Sequence, residues 1–324
     1  MASPTISVVI PVFNEEPNLL TLWERLRQSL SPFEAEGWEV IMVDDGSKDQ
    51  SLSILKSIAQ HDEHLVVIEF NRNYGQHAAI MQGFQTVASS SQYVITLDAD
   101  LQNPPEDIPL LITELKKGFE VVGGVRRTRA QNDSFLRRWP SKLVNYVTRK
   151  TTGVALSDYG CMLRGYTKSV VEAMLSCDEK STFIPVLANT FAKSITEVDV
   201  GHAPRLHGDS KYGLLALIRL QFDLTTGFST FPLQMLSGIG IFISIGSLGL
   251  GGYLLIMRFL GYPDNTNGVF TLFALLFLIL GILFLGLGIL GEYIGRIYSQ
   301  VRVRPRSIVK HIHRKAYSSE NKLT

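Results

Sequence analysis

Cysteine is almost missing from this chain of 324 residues, with Cys161 and Cys177 the only two. A pair so sparse builds no disulfide framework and matches no metal-ligand spacing, so a reducing compartment and small buried side chains are expected. Charge is scarce as well, at 19% of residues, below the roughly one quarter usual for soluble domains. The formal balance of +1 excludes a strongly acidic or strongly basic chain, and no nucleic-acid partner is expected. A secretory signal is also lacking. Residues 5–12 form a β-branched run broken by Pro11 and followed at once by Asn14, Glu15 and Glu16, so the front half is expected to stay cytoplasmic.

The shortage of charge is localised. No charged residue occurs in the 34 positions 224–257 or in the 27 positions 265–291, and each run exceeds the roughly 20 apolar residues that cross a bilayer core. Two transmembrane helices are predicted, near 232–257 and 268–291. The linker 259–267 has no Lys or Arg, whereas Arg296, Arg302, Arg304, Arg306, Lys310, Arg314 and Lys315 follow the second span; Arg258, at the end of the first, departs from this and is expected to snorkel to the far headgroups. The positive-inside rule then places both termini in the cytoplasm, giving a multi-pass protein of the inner membrane. Up to residue 204 there are 19 basic and 25 acidic residues, and beyond it 12 and 5. Gly286, Gly288 and Gly291 imitate a dinucleotide fingerprint, but no strand precedes them. Small residues four apart, Ser247/Gly251 and Gly291/Gly295, instead allow close helix approach, so a homo-oligomer is expected.

The first 125 residues alternate short apolar runs with amphipathic stretches, the pattern of an α/β domain with a parallel sheet. Strands are predicted at 6–12, 39–44, 65–70, 93–97 and 121–125, and helices at 17–30, 51–59, 76–87 and 106–117. Ligands of such sheets bind at the carboxyl ends of the strands, where three polar clusters fall: 11–15, 44–47 and 98–102. Asp98 and Asp100, with Gln102 two residues on, offer hard oxygen ligands to a cation holding phosphate oxygens. Asp44, Asp45, Gly46 and Ser47 close a second strand in the same way. Acids gathered at one sheet edge repel one another, so a metal ion or a ribose hydroxyl should compensate them.

The motifs 9–15 (VIPVFNE), 43–47 (VDDGS), 71–75 (NRNYG) and 97–106 (LDADLQNPPE) resemble those of the family-2 glycosyltransferases with the GT-A, Rossmann-like fold, and more narrowly the polyprenyl-phosphate glycosyltransferases of the dolichyl-phosphate mannose synthase type. The resemblance covers about 5–215, and the tail motif 288–296 extends it to the bacterial bactoprenol glucosyltransferases. It implies a nucleotide-sugar donor, with Pro11, Asn14, Glu15 and Asp44 around base and ribose. Asp98, Asp100 and Gln102 would hold Mg²⁺ or Mn²⁺ on the diphosphate, Asp100 acting in catalysis. Pro11 reads equally as a strand terminator, and Asp45 as a cap for the following helix.

Residues 126–150 carry eight basic residues against the single acid Asp133, interleaved with Phe135, Leu136, Trp139 and Tyr146. They predict an amphipathic helix in the lipid interface, and 212–228 predicts a second. The family places a basic residue and, one helical turn later, a serine against the acceptor phosphate. Arg137 and Ser141 fit, with Arg126 a third candidate. Residues 205–211 resemble the family's loop over the donor diphosphate, through Arg205, Ser210 and Lys211. Asp158 matches the acid placed near the acceptor. A phosphate monoester, with a second pKa of about 6, needs no strong base, so orientation is the first reading for Asp158 and proton abstraction the second. Arg164 is expected to pair with an acid and hold that loop.

These readings give a cytoplasmic GT-A domain at 1–204, a donor loop and interfacial helix at 205–231, two membrane helices at 232–291 and a basic tail at 292–324. The tail either adds a strand to a neighbouring chain or lies on anionic lipid. The activity expected is metal-dependent, inverting transfer of glucose from UDP-glucose to undecaprenyl phosphate, with membrane lipids as surroundings. Transfer of mannose or a modified arabinose is the alternative within the family. A processive polysaccharide synthase would need Gln-x-x-Arg-Trp, and the Arg138-Trp139 pair lacks the Gln. A non-enzymatic nucleotide-sugar sensor is disfavoured by the intact Asp98–Asp100 cluster.

Overall fold

The structure, a computed structural model, describes residues 3–126, 158, 160–177, 184–202, 268–301 and 307–315, with isolated positions between 238 and 260. The chain divides into two compact units, residues 1–212 together with 304–324, and residues 213–303.

In the first unit the β-branched runs form β1 (Ile6–Val12), β2 (Trp38–Asp44), β3 (Leu65–Phe70), β4 (Tyr93–Thr96) and β5 (Val121–Val125), while the amphipathic stretches form α1 (Leu19–Leu30), α2 (Ser51–His61), α3 (Gln76–Thr86) and α4 (Ile108–Lys116). Three strands from later in the chain join them: β6 (Arg164–Thr167), β7 (Ile195–Asp199) and β8 (Val309–His313). Two further helices are α5 (Lys168–Leu175) and α6 (Ile184–Phe191).

The eight strands of the described residues form one sheet in the order β7-β5-β6-β4-β1-β2-β3-β8. The β1, β2, β3 and β4 strands run parallel, β6 is antiparallel to β4 and β5, and β8 is antiparallel to β3. Central strands such as β2 and β3 are buried along their whole length, because helices cover both faces. One face packs Leu22 and Leu26 of α1, Leu55 of α2 and Ile108 and Leu111 of α4. The other packs Ile80 and Phe84 of α3, Val170 and Met174 of α5 and Leu187 of α6. This is a three-layer GT-A fold of the Rossmann type.

The tail departs from both sequence alternatives, since β8 pairs with β3 of its own chain, matching Val67 with His313 and Ile68 with Ile312. Alternating Val309, His311 and His313 suit an edge strand, and β3 had that edge open.

The β2–α2 turn approaches the β3–α3 loop closely. Gly46 adopts φ +71°, and a Cβ there would lie 2.6 Å from the carbonyl carbon of Arg72. Gly46→Ala combines a disfavoured backbone region with a backbone collision, so it is expected to cost about 2 kcal/mol or more. Chemical denaturation of the two proteins checks this as a lowered midpoint.

In the second unit, residues 268–301 form one continuous helix, α7 (Gly268–Val301), of 34 residues and about 51 Å by the usual rise per residue. It runs ten residues past the charge-free stretch that ends at Gly291. Among the described residues, no helix is long and apolar enough to cross a membrane. The span expected at 232–257 and the interfacial helices expected at 126–150 and 212–228 fall mainly or wholly outside the described residues, as do Arg137, Ser141, Arg205, Ser210 and Lys211.

Candidate active site

Strand order sets where a ligand can sit. The chain steps from β1 outward through β2 to β3, then crosses to β4 on the other side of β1. Where the order reverses, the loops leaving β1 and β4 diverge and leave a crevice at their carboxyl ends. A cavity of about 250 Å³ occupies that position. The β1 exit supplies Pro11, Val12, Phe13 and Glu15, the β4 exit Asp98, Ala99 and Asp100, the β2 exit Asp45, and the β3–α3 connection Asn73, Gly75 and Gln76.

Each loop is braced by its neighbours. Asn14 sits at φ +56°, a left-handed conformation that Asn tolerates better than most residues. Its side-chain oxygen accepts the Lys48 N–H at 2.8 Å, and its own N–H donates to the Ser47 hydroxyl at 3.1 Å. The Glu15 N–H donates to the Ser51 hydroxyl at 2.9 Å, and its carboxylate accepts from Asn18 at 2.7 Å. Asn14 therefore fastens the β1 exit to the β2 exit, while Glu15 and Pro11 face the cavity.

Of the adjacent acids Asp44 and Asp45, the structure places Asp45 on the cavity wall. Asp44 lies behind it, only 1% exposed, accepting the Ser47 N–H at 3.3 Å. Burial pushes both carboxyls above the ordinary range. Asp45 does not cap α2. It accepts the N–H groups of Tyr74 and Gly75 at 2.6 and 2.8 Å, closing the β3–α3 loop onto the β2 exit. Nothing in local spacing signals this partnership across 29 residues.

Asp98 and Asp100 share the cavity, and Gln76 donates to Asp98 at 2.6 Å. Asp100 accepts the Gln102 backbone N–H at 3.1 Å, shaping a tight turn in which Leu101 adopts φ +61°. The Gln102 side chain does not line the cavity. Two carboxylates converging on one polar crevice suit Mg²⁺ or Mn²⁺, which commonly takes one or two carboxylates and completes its shell with phosphate and water. Among the described residues no group of three His, Cys, Asp or Glu could hold a metal alone, so such an ion would rely on the substrate's oxygens. Gln76 was not singled out by sequence reading; its position directly after Gly75 at a helix start was the available signal.

Beside the cavity, Arg126 and Asp158 form a two-bonded ion pair, Nε to Oδ2 at 2.7 Å and Nη2 to Oδ1 at 2.9 Å. Burial opposes both charges, yet the pairing wins. The Asp158 carboxyl lies below its ordinary range and the Arg126 guanidinium above its own. Arg126 also feels the charge of Asp98, which links the pair electrostatically to the cavity acids. Arg164 is completely buried and holds the Asp158 loop, but not through a carboxylate as expected. Its Nε donates to the Cys161 carbonyl at 2.9 Å and its Nη2 to the Asp158 carbonyl at 2.7 Å. Cys161 is buried too, and burial raises its thiol to about 11, so it is an inert neighbour.

A GT-A sheet with acids facing the crevice at its switch point, and a locked arginine–aspartate pair beside them, fits an enzyme of the glycosyltransferase class. The chain belongs to glycosyl transferase family 2, whose sequence pattern matches residues 7–175. It is 50% identical over 315 residues to the undecaprenyl-phosphate 4-deoxy-4-formamido-L-arabinose transferase of Pseudomonas fluorescens, covering 95% of this chain and 90% of that protein. It is 49% identical over 309 residues to the protein of the same name from Proteus mirabilis, covering 95% and 93%. Among solved structures it is similar to mannosyl-3-phosphoglycerate synthase from Rubrobacter xylanophilus, at TM-score 0.48 and 12% identity over 68% of this chain and 71% of that one. The named relatives correct one expectation, since the likeness to glucosyltransferases gives way to a likeness to formamido-arabinose transferases.

Proposed function

We propose that this enzyme transfers 4-deoxy-4-formamido-L-arabinose from a nucleotide diphosphate, taken as UDP, to undecaprenyl phosphate, with inversion at the anomeric carbon. The observation that carries this reading is the cavity at the switch point, bordered by Asp98 and Asp100 on one side and within electrostatic reach of the Arg126–Asp158 pair. The near-full-length likeness to transferases of that name supplies the sugar and the lipid, and replaces glucose.

In this reading the acceptor phosphate oxygen attacks the anomeric carbon while the bond from that carbon to the diphosphate breaks. Pro11, Glu15 and the β2 exit hold the nucleoside end. Asp98 and Asp100 would hold Mg²⁺ or Mn²⁺, which when bound would supply positive charge to the leaving diphosphate. Arg205, Ser210 and Lys211 would bind that diphosphate, and Arg137 and Ser141 would join Arg126 on the acceptor phosphate. Asp158 fixes the Arg126 guanidinium and takes no proton, because the acceptor is already mostly ionised at neutral pH.

The membrane assignment rests on the charge-free runs of the sequence, not on a helix shown to be long and apolar enough; α7 nevertheless exposes Leu272, Leu276, Leu283, Phe284, Leu287 and Leu290. Such a surface calls for lipid or a second helix. Spans near 232–257 and 268–291, with the catalytic unit cytoplasmic, satisfy it, and the four-apart small residues support a homo-oligomer.

Full-length protein with undecaprenyl phosphate and a panel of UDP-sugars tests the assignment, with products identified by mass. Formamido-arabinose is expected to be transferred with the highest kcat/KM, and equal or better transfer of glucose would overturn the sugar. Gln76→Ala frees Asp98 from its brace, so the metal concentration for half-maximal transfer should rise about tenfold, read from a metal titration.

A further inference from the structure

We infer that the C-terminal strand is a positioning element of the donor cavity, acting through a charge cluster centred on the buried Glu69. The inference rests on reading the cavity as the nucleotide site. Glu69 lies on β3, its side chain 4% exposed, and two lysines and a histidine converge on it: Lys310 Nζ of β8 at 2.6 Å, Lys56 Nζ of α2 at 2.7 Å and His313 Nε2 of β8 at 3.2 Å. Burial alone would raise this carboxyl, but bonds from Lys310, Lys56 and His313 hold it at about 2.

Two features tie the cluster to the cavity. First, β3 ends at Phe70, one residue after Glu69, and the next segment carries Asn73, Gly75 and Gln76 on the cavity wall. The tail grips that segment where it starts, since the Asn71 N–H donates to the Ile308 carbonyl at 3.3 Å. It grips α3 as well, through Ser307 to Gln82 at 3.2 Å. Second, Glu69 stands opposite Asp44 in the β2–β3 register, and its charge adds to the factors raising Asp44. A Glu69 stripped of its tail partners would push harder on the acids of the β2 exit and loosen the loop that Asp45 clamps. Lys310 and His313 are therefore positioning residues for donor binding, although neither lines the cavity.

The test measures UDP affinity by calorimetry, and separate donor and acceptor KM values by transfer assay, on full-length protein with Mg²⁺. In Lys310→Met, UDP affinity should fall about fivefold, a modest figure because Lys310 is exposed and Lys56 remains. The donor KM should rise in parallel while the acceptor KM stays fixed. Lys310→Arg should retain wild-type affinity. Glu69→Gln combined with Lys310→Met should recover most of the loss, because the buried carboxylate is then gone and Lys56, half-exposed, is left to water. Unchanged UDP affinity in Lys310→Met overturns the inference, and so does a loss that persists undiminished in the double variant. Failure of the wild-type protein to bind UDP at all would instead remove the donor-cavity reading beneath it.

Discussion

Asp158→Asn is expected to lower transfer by about a hundredfold or more and to gain nothing back between pH 6 and pH 9. Both oxygens of Asp158 are committed to Arg126, and its carboxyl lies below the ordinary range, so it is ionised throughout that interval. A general base replaced by an amide would leave a reaction that quickens as the acceptor or hydroxide takes over with rising pH. A lost orienting partner leaves Arg126 free to swing, which no proton restores. The stability consequence has a definite sign. A depressed carboxyl stabilises the fold above its unfolded pKa, and that contribution disappears as pH falls through the folded value. At neutral pH the asparagine variant should be destabilised by about 3 kcal/mol, the usual range for breaking a buried pair, while wild type and variant converge in acid. Initial rates and denaturation curves across pH separate the two roles of Asp158.

Asp98→Asn and Asp100→Asn should each reduce turnover by about a thousandfold. Each carboxylate faces the cavity, and an amide keeps the shape while removing the charge that would hold a divalent ion. Raising the metal concentration should recover part of the Asp98→Asn loss, because Asp100 remains as a ligand. The double variant should show no recovery. Transfer rates against Mn²⁺ concentration give the answer, and a single variant with wild-type turnover would place the diphosphate elsewhere.

The sheet's centre was readable because β1, β2 and β3 are short apolar runs rich in Val and Ile with an acid or Asn at or just beyond their ends, and their helices keep a 3.6-residue apolar period. The strands missed have other compositions. Arg164, Gly165, Tyr166 and Thr167 form β6 with neither alternation nor a long apolar run, and only pairing to β4 and β5 on both sides makes them a strand. At the site, the acids could be found because they close strands. The roles of Asp45 and Gln76 could not, because their partners lie 29 and 22 residues away on other loops. The partner of the C-terminal strand was misread for a related reason, since a basic alternating segment fits lipid, a neighbour or a distant edge equally well by sequence.

That last strand also constrains biosynthesis. Lys310 follows Glu69 by 241 residues, so at about 5–20 residues per second the nascent domain waits roughly ten to fifty seconds with β3 as a bare edge. The apolar segments must leave the ribosome before the sheet is finished. A fragment cut before residue 304 would never finish it, and its open edge would invite pairing between fragments and insoluble product.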